Sequence, residues 1–224
     1  MIANSPKGKS NYSWMELLTD NERIKVMSES TLLNYEKGET IIKQGTLASQ
    51  ILFVEDGIAK LNFESGGRDT TFSFATNGDF IGLMCSFVKK RLEFSAIAIT
   101  SLTVRVIDRE LFENLIKTNG EFAVSIVKHM SELTNNVVHT LITLSHKNAN
   151  GAVATLLLTL YRLYQSVKFQ IPFTRDEMAD ALGYSKESVI NTLSSFHQDK
   201  IIFISGRNIE VQNVATLELI AEKG

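Results

Sequence analysis

The stretch that most constrains the fold lies at residues 173–196 and reads FTRDEMADALGYSKESVINTLSSF. Thr174, followed three residues later by Glu177, is the capping-box pattern of a helix start, in which each side chain accepts a hydrogen bond from a free backbone amide. Gly183 predicts a tight turn, and Ser185 predicts the N-cap of a second helix. Two helices joined by a short turn that contains glycine predict a helix-turn-helix.

The second helix of this stretch has an apolar face and a polar face. Val189, Leu193 and Phe196 recur at i, i+4 and i+7 and predict the buried face. Lys186 and Asn191 point away from it, as does the glutamate between them. Lysine can donate to guanine, glutamate can accept from cytosine, and asparagine can pair with adenine. We therefore expect a DNA-reading helix, with a plain surface helix that has a capped start as the alternative.

The segment that follows, KIIFISGRNIEVQN, predicts two short strands around a turn. We expect this hairpin to act as a wing whose tip contacts phosphate, although an arginine in a turn is often only solvated. Short hydroxyl side chains at the start of the preceding helix favour a phosphate as well, because free amides and the helix dipole attract anions there. The predicted DNA contacts are Arg175, Ser185, Lys186, Glu187, Ser188, Asn191 and Arg207.

The overall charge gives no electrostatic signal for nucleic acid. The chain has 224 residues with 23 basic and 25 acidic side chains, and residues 151–224 carry 7 and 8 of them. DNA-binding domains are commonly basic, so any affinity for DNA must come from local placement of cations. The near-neutral balance supports an alternative function, a ligand-binding module whose winged helix mediates protein contacts only.

The composition is that of an ordinary folded protein, with 44% hydrophobic and 21% charged residues. No apolar run approaches the roughly 18 residues that span a bilayer, and the start, MIANSPKGKSNYSWMELL, is too polar for a secretory signal. We expect that start to be a polar arm leading into a first helix. These features predict a cytoplasmic protein without membrane contact.

Residues 35–107 predict β structure. Short runs rich in Ile, Val, Phe and Thr alternate with turn glycines, a pattern typical of a sandwich or a barrel. The pair Gly66-Gly67 lies between the runs KLNF and TTFSF and predicts a hairpin.

A helical period follows the β region. DRELFENLIKT predicts a helix capped by Asp108, and EFAVSIVKHMSELTNNVVHTLITLSHKN predicts a long helix after Gly120. The apolar positions of the long helix, from Phe122 onward, recur every three or four residues and approximate a heptad seam. A second copy of the chain is the simplest partner, and packing on the chain's own β domain is the alternative. The predicted dimer seam is Ile126, Met130, Leu133, Val137, Leu141 and Leu144.

The sequence resembles the CRP/FNR transcription regulators from about residue 20 to 221. The resemblance rests on YEKGETIIKQGTLASQILFVEDGIAKL, NGDFIG, LSHKNANGAVATLL, FTRDEMADALGYSKESVINTL and GRNIEV, in this order. It implies an α+β fold with an N-terminal β-roll, which is a jelly roll of the cyclic-nucleotide-binding type, a long dimerisation helix and a C-terminal winged helix-turn-helix. We expect these parts at residues 1–118, 119–148 and 149–224.

The resemblance also implies function: a homodimer that binds a near-palindromic double-stranded DNA site, senses a small effector and contacts RNA polymerase. Family members read DNA with three positions of the recognition helix, which map to Lys186, Glu187 and Asn191. The third position is usually arginine. Asparagine there predicts a changed half-site, with adenine at that step.

The effector site departs from the pattern of the cAMP-binding members. Those members carry a glutamate for the ribose after GDFIG and an Arg-Ser pair for the cyclic phosphate. Leu83 and Phe94 stand at the glutamate and arginine positions, while Ser95 remains. A bound anion without its guanidinium partner is poorly compensated, so we expect no cAMP. The candidate pocket comprises Gly82, Leu83, Cys85, Phe94 and Ser95, and apolar residues could simply fill it.

Metal and catalytic chemistry have little support in the sequence. A single cysteine excludes an iron–sulfur cluster of the oxygen-sensing members. His129, His139, His146 and His197 show no helical metal spacing, so we expect neither haem nor another metal site. Cys85 is expected to be buried and inert, with a thiol sensor as the alternative. No phosphate-binding glycine loop or nucleophile motif is present, which argues against an enzyme.

Overall fold

The computed structural model describes residues 14–88 and 90–224, so the polar arm predicted at the start falls mostly outside the described residues. The N-terminal half opens with a 3₁₀ turn at Trp14–Leu17. It continues with α1 (Asp20–Glu29), β1 (Thr31–Tyr35), β2 (Thr40–Ile42), β3 (Gln50–Asp56), β4 (Ile58–Ser65), β5 (Arg68–Thr76), β6 (Phe80–Ile81), α2 (Leu83–Ser86), β7 (Ser95–Ala98), β8 (Leu102–Asp108) and α3 (Arg109–Thr118).

The C-terminal half is mainly helical. Its elements are α4 (Gly120–Ser145), α5 (Ala149–Tyr164), β9 (Lys168–Gln170), α6 (Arg175–Leu182), α7 (Lys186–Gln198), β10 (Ile202–Ser205), β11 (Asn208–Val211) and α8 (Val214–Lys223). The mixed α and β architecture predicted from the sequence is confirmed. The three-residue strand β9 was not among the predicted strands.

The strands of the N-terminal half form two four-stranded sheets, in the orders β1-β8-β3-β6 and β2-β7-β4-β5. In the first sheet, Ile51 pairs with Ile107 and Leu52 with Val106, in antiparallel register. Successive side chains of a strand point to opposite faces, and all four of these residues are buried. Both faces of this sheet are therefore covered.

Glycines set the turns of these sheets. Gly66 and Gly67 both have positive φ, 59° and 77°, as a tight two-residue hairpin requires, so the predicted hairpin is confirmed. Gly57, between β3 and β4, has φ +90°, and a Cβ there would lie 2.2 Å from the carbonyl oxygen of Ser101. Only glycine fits this position without a shift of backbone.

A hydrophobic cluster packs the first sheet against helices. Phe53 and Ile107 contribute from the sheet, Phe112 from α3, and Phe122 and Ile126 from α4. Asp108 caps α3 by accepting from the amides of residues 110 and 111, as predicted. The first turns of α4 are thus part of the core of their own chain.

Two positions of the predicted dimer seam make contacts within their own chain. Ile126 is 7% exposed and belongs to the cluster, and the partly buried Met130 packs against it. The spacing alone does not separate packing on the chain's own core from packing on a second copy, because the apolar residues of either face recur every three to four residues. The side chains of Leu141 and Leu144 lie outside the described part of the structure.

The C-terminal half is built around α5, whose wide apolar face is buried, as at Leu157 and Leu160. The three strands near it pair in the order β10-β11-β9. The described chain divides into two compact units, one with residues 14–69 and 73–136, the other with residues 137–224 and the short piece 70–72. The division falls within α4, inside the range 119–148 that was expected to form a separate dimerisation helix.

Candidate nucleic-acid interface

The two helices α6 and α7 form the predicted helix-turn-helix. The hydroxyl of Thr174 accepts from the amide of Glu177 at 3.1 Å, and the Glu177 carboxylate accepts from the amide of Thr174 at 2.6 Å, so the capping box is confirmed. Gly183 ends α6 in the left-handed conformation, with φ 75°. Ser185 caps α7 by accepting from the amide of Ser188 at 3.1 Å.

The faces of α7 separate as the spacing predicted. Val189, Leu193 and Phe196 are buried and anchor the helix. Lys186 and Asn191 are exposed on the other side, with Glu187 beside them and Ser188 half-buried. The structure thus brings the predicted base-reading side chains together on the open surface of one helix, within its first two turns.

Lys186 has a partner that the sequence analysis did not identify. Its ammonium Nζ lies 2.8 Å from Oδ2 of Asp176, on the first turn of α6, and both side chains are largely exposed. The hydrogen bond that Lys186 donates to this carboxylate, and then the negative charge of the carboxylate, raise the pKa of Lys186. The sequence contains one signal for this ion pair. An acidic residue lies at the start of the first helix, and a basic residue lies ten positions later, at the start of the second.

The wing contributes a second cationic region. Gly206 makes the turn between β10 and β11 with φ 61°, next to Arg207. Nη2 of Arg175 donates to the carbonyl of Gly206 at 2.9 Å, and its Nη1 lies 3.4 Å from Sδ of Met178. Burial, and then the nearby charge of Arg207, lowers the pKa of Arg175. The two predicted phosphate contacts are therefore neighbours, and one of them also holds the turn in place.

The residues of the candidate effector pocket are mostly buried and apolar. Leu83 is 3% exposed and lies in the hydrophobic cluster, and Cys85 and Phe94 are buried as well. Gly82 begins α2 with φ 92°. The hydroxyl of Ser95 accepts from the amide of Gln44 at 3.0 Å, so this polar side chain has a backbone partner.

The middle of α4 keeps an exposed apolar face. Val127 and Val138 are 65% and 47% exposed, with the exposed polar residues Ser131 and Thr134 between them. The steps from one to the next are 4, 3 and 4 residues, so all four lie on one side of the helix. By helical rotation this face is offset from that of Ile126.

The histidines make ordinary contacts. The ring of His129 is edge-on to Phe80, with centroids 5.7 Å apart. His197 accepts from the amide of Ile204 through Nδ1 at 3.3 Å. Within residues 14–88 and 90–224, no group of three His, Cys, Asp or Glu side chains is arranged to hold a metal ion.

None of the helices in the described ranges combines the length and apolarity that a bilayer crossing needs.

Comparison with protein families matches both halves of the chain. A cyclic nucleotide-binding domain matches residues 32–119, and a Crp-like helix-turn-helix domain matches residues 151–220. The transcriptional activator protein FnrL of Cereibacter sphaeroides is 25% identical over 195 residues, which cover 82% of this chain and 77% of the relative. The cyclic AMP receptor protein of Thermus thermophilus is 27% identical over 188 residues, covering 84% and 86%.

Solved structures agree with these relatives. FixK2 of Bradyrhizobium japonicum is similar with a TM-score of 0.71 and 26% identity, over 85% of this chain and 96% of that one. A CRP/FNR-family regulator of Eubacterium rectale has a TM-score of 0.80 over 96% of this chain and 100% of that one, and at 17% identity it supports the fold alone. A cyclic-nucleotide-type domain, a long helix and a Crp-like helix-turn-helix occur here in one chain, which therefore belongs to the CRP/FNR family of DNA-binding transcription regulators.

Proposed function

We propose that the protein is a homodimeric regulator that reads a near-palindromic DNA site with α7 and that takes no cyclic nucleotide in its β-roll. The observation that carries the DNA-reading part is the exposed row of Lys186, Glu187 and Asn191 on a helix whose opposite face is buried. The first residues of a recognition helix enter the major groove and contact base edges. Glu187 then reads a cytosine amine, and Asn191 reads adenine.

The DNA backbone is held by groups beside this row. Ser185 and Ser188 lie at the N-terminus of α7, where the helix dipole attracts a phosphate. Arg207, at the tip of the wing, and Arg175, bonded to the same turn, supply positive charge. Phosphate contacts position the protein on the duplex, and base contacts give it specificity.

The homodimer forms through the exposed apolar face of α4. Val127, Ser131, Thr134 and Val138 follow a heptad rhythm, and Leu141 continues it three residues later. Burial of these valines against their copies removes apolar surface from water. A two-fold dimer presents its two recognition helices about 34 Å apart, to successive turns of one face of the duplex.

The β-roll of this chain is proposed to bind no cAMP. Leu83 and Phe94 are buried, and neither supplies a charged group for a ribose or a cyclic phosphate. A cyclic phosphate placed there would lose its water without a cation to pair with. Any effector must therefore differ chemically, and it could act only through different affinities for two arrangements of the protein. Contact with RNA polymerase is proposed on the family relationship alone.

Selection of binding sites from random DNA, followed by titration of the selected site at several salt concentrations, tests this proposal. We expect a palindromic consensus and an affinity that falls about 10³–10⁵-fold between 50 and 200 mM salt, for six to ten phosphate contacts. Arg207→Ala should weaken binding to all sequences and reduce the slope of log affinity against log salt by about 0.9.

Lys223→Ala is the matched control, because it removes one exposed positive charge from the last turn of α8. If no sequence is enriched with the wild-type protein, the winged helix does not read DNA. The protein would then fit the alternative, a ligand-binding module whose winged helix contacts other proteins.

A further inference from the structure

The ion pair between Asp176 and Lys186 lies at the edge of the helix-turn-helix where both helices begin. The Nζ–Oδ2 distance is 2.8 Å, and the side chains of Lys186 and Asp176 are 46% and 66% exposed. Glu187 follows Lys186 directly on α7. These three side chains comprise two carboxylates and one ammonium, all at the proposed DNA-reading edge.

Stability does not account for this pair. Exposed ion pairs contribute little to folding, because solvent screens them and both side chains lose freedom. The two helices are already joined by other means, since Ala179 and Leu182 of α6 and Val189 and Leu193 of α7 are buried. Each helix also has its own N-cap, at Thr174 and Ser185.

The pair changes what Lys186 can do on DNA. A free lysine contacts any phosphate that it can reach, because its ammonium is a flexible point charge. Asp176 occupies one of the three donors of this ammonium and holds it in one place, and the carboxylate itself repels phosphates. Two donors remain for base acceptors in the major groove, where guanine offers O6 and N7.

We propose that Asp176 is a specificity-determining residue, which positions Lys186 for a guanine and prevents it from serving as a general phosphate contact. This inference rests on the proposed role of α7 in reading DNA. Asp176 acts through Lys186, so it is a positioning residue for the base contact. It strengthens discrimination by weakening binding to every other sequence.

Asp176→Asn tests this role with a nearly isosteric side chain that lacks the charge. Affinity for random competitor DNA should rise about fivefold. This is the size of the repulsion between one unit charge and a phosphate a few ångströms away in water, which the variant removes. The salt slope on that DNA should steepen by about 0.9, because the released Lys186 gains a phosphate. In random-site selection, the preference at one symmetric pair of base positions should flatten.

Asp180→Asn is the matched control. Asp180 is exposed on the same helix and forms no ion pair with the residues that the structure describes, so its charge acts only from a distance. Both variants are checked for an unchanged melting temperature. Equal effects of the two variants on random DNA, with an unchanged consensus, would overturn the inference and leave the proposed function intact.

A double-mutant cycle with Lys186→Gln gives a second, independent readout. If Asp176 acts through Lys186, the effect of Asp176→Asn on base preference should vanish once Lys186 is already replaced. The same effect in both backgrounds would overturn the inference. A wild-type protein that enriches no sequence at all would overturn the proposed function, and the inference with it.

Discussion

The hydroxyl of Tyr184 donates a hydrogen bond to the backbone carbonyl of Lys147. Tyr184 lies in the turn between α6 and α7, and Lys147 lies in the short connection between α4 and α5. A second hydrogen bond lies close by in the sequence. Oγ1 of Thr192 on α7 donates to Oδ1 of Asn150, in the first turn of α5, at 2.9 Å. These two hydrogen bonds tie α7 and the turn before it to the segment where α4 ends and α5 begins.

Tyr184→Phe removes the hydrogen bond that the Tyr184 hydroxyl donates, and the carbonyl of Lys147 loses this donor. We expect a loss of about 1 kcal/mol in the free energy of unfolding, as is typical for a hydrogen bond of this kind. Affinity for the selected DNA site should also fall, because the orientation of α7 is less restricted. Urea denaturation and DNA titration measure the two effects. Tyr161→Phe, whose hydroxyl makes no hydrogen bond within the described residues, should change neither.

Glu187→Ala tests whether this side chain of α7 contacts a base, as proposed. Its side chain is exposed on the first turn of α7, so its removal should cost little stability. Discrimination at one base pair of each half-site should fall by about 1–3 kcal/mol, because the acceptor for a cytosine amine is lost. Random-site selection measures this preference, with Gln198→Ala at the far end of α7 as control. An unchanged consensus would show that Glu187 does not contact a base.

Val138→Asp tests the exposed face of α4. A carboxylate buried against its own copy is destabilising, so the variant should sediment as a monomer at concentrations where the wild type is a dimer. His139→Asp is the control, because position 139 is exposed and lies about 100° further around the helix. Leu141→Asp should behave like Val138→Asp. The control His139→Asp should remain a dimer. If Val138→Asp also remains a dimer, the interface does not include this face of α4.

Gly57→Ala should destabilise the N-terminal unit. The new Cβ would meet the Ser101 carbonyl oxygen at 2.2 Å and Cα of Leu102 at 2.8 Å, and both are backbone atoms. Overpacking of this kind costs about 1–3 kcal/mol, in addition to the strain of a positive φ. Gly38→Ala has a similar φ of +96° but nothing within 4 Å, so it should show only the strain, about 1–2 kcal/mol. Equal losses in urea denaturation would contradict this reading.

The helix ends were the most predictable part of the fold. Thr174, Ser185 and Asp108 cap their helices as expected, because a cap depends on side chains only a few residues away. The same local logic located the turn at Gly183 and the buried row that begins at Val189. Patterns with a range of one or two helical turns can be read from sequence alone.

Contacts between distant segments could not be predicted in the same way. Ile126 and Met130 show the spacing of a seam, yet spacing does not reveal which surface a helix face meets. The pair of Asp176 and Lys186 was missed for a related reason, since it forms only when the turn brings the starts of two helices together. Ion pairs across a turn depend on tertiary geometry and leave only a faint trace in the sequence.

The cluster around Trp14 provides the protein with an optical reporter. Trp14 is the only tryptophan in the chain, it is 3% exposed, and its ring lies 5.6 Å from Phe53 and 5.8 Å from Phe80. Its indole N–H has no hydrogen-bond partner among the residues described, so the emission of the native state should come from a dry, apolar site. Tryptophan fluorescence then follows the N-terminal unit alone, whereas helical circular dichroism follows both units. The order in which the two units melt can be read from unlabelled protein in a single denaturation series.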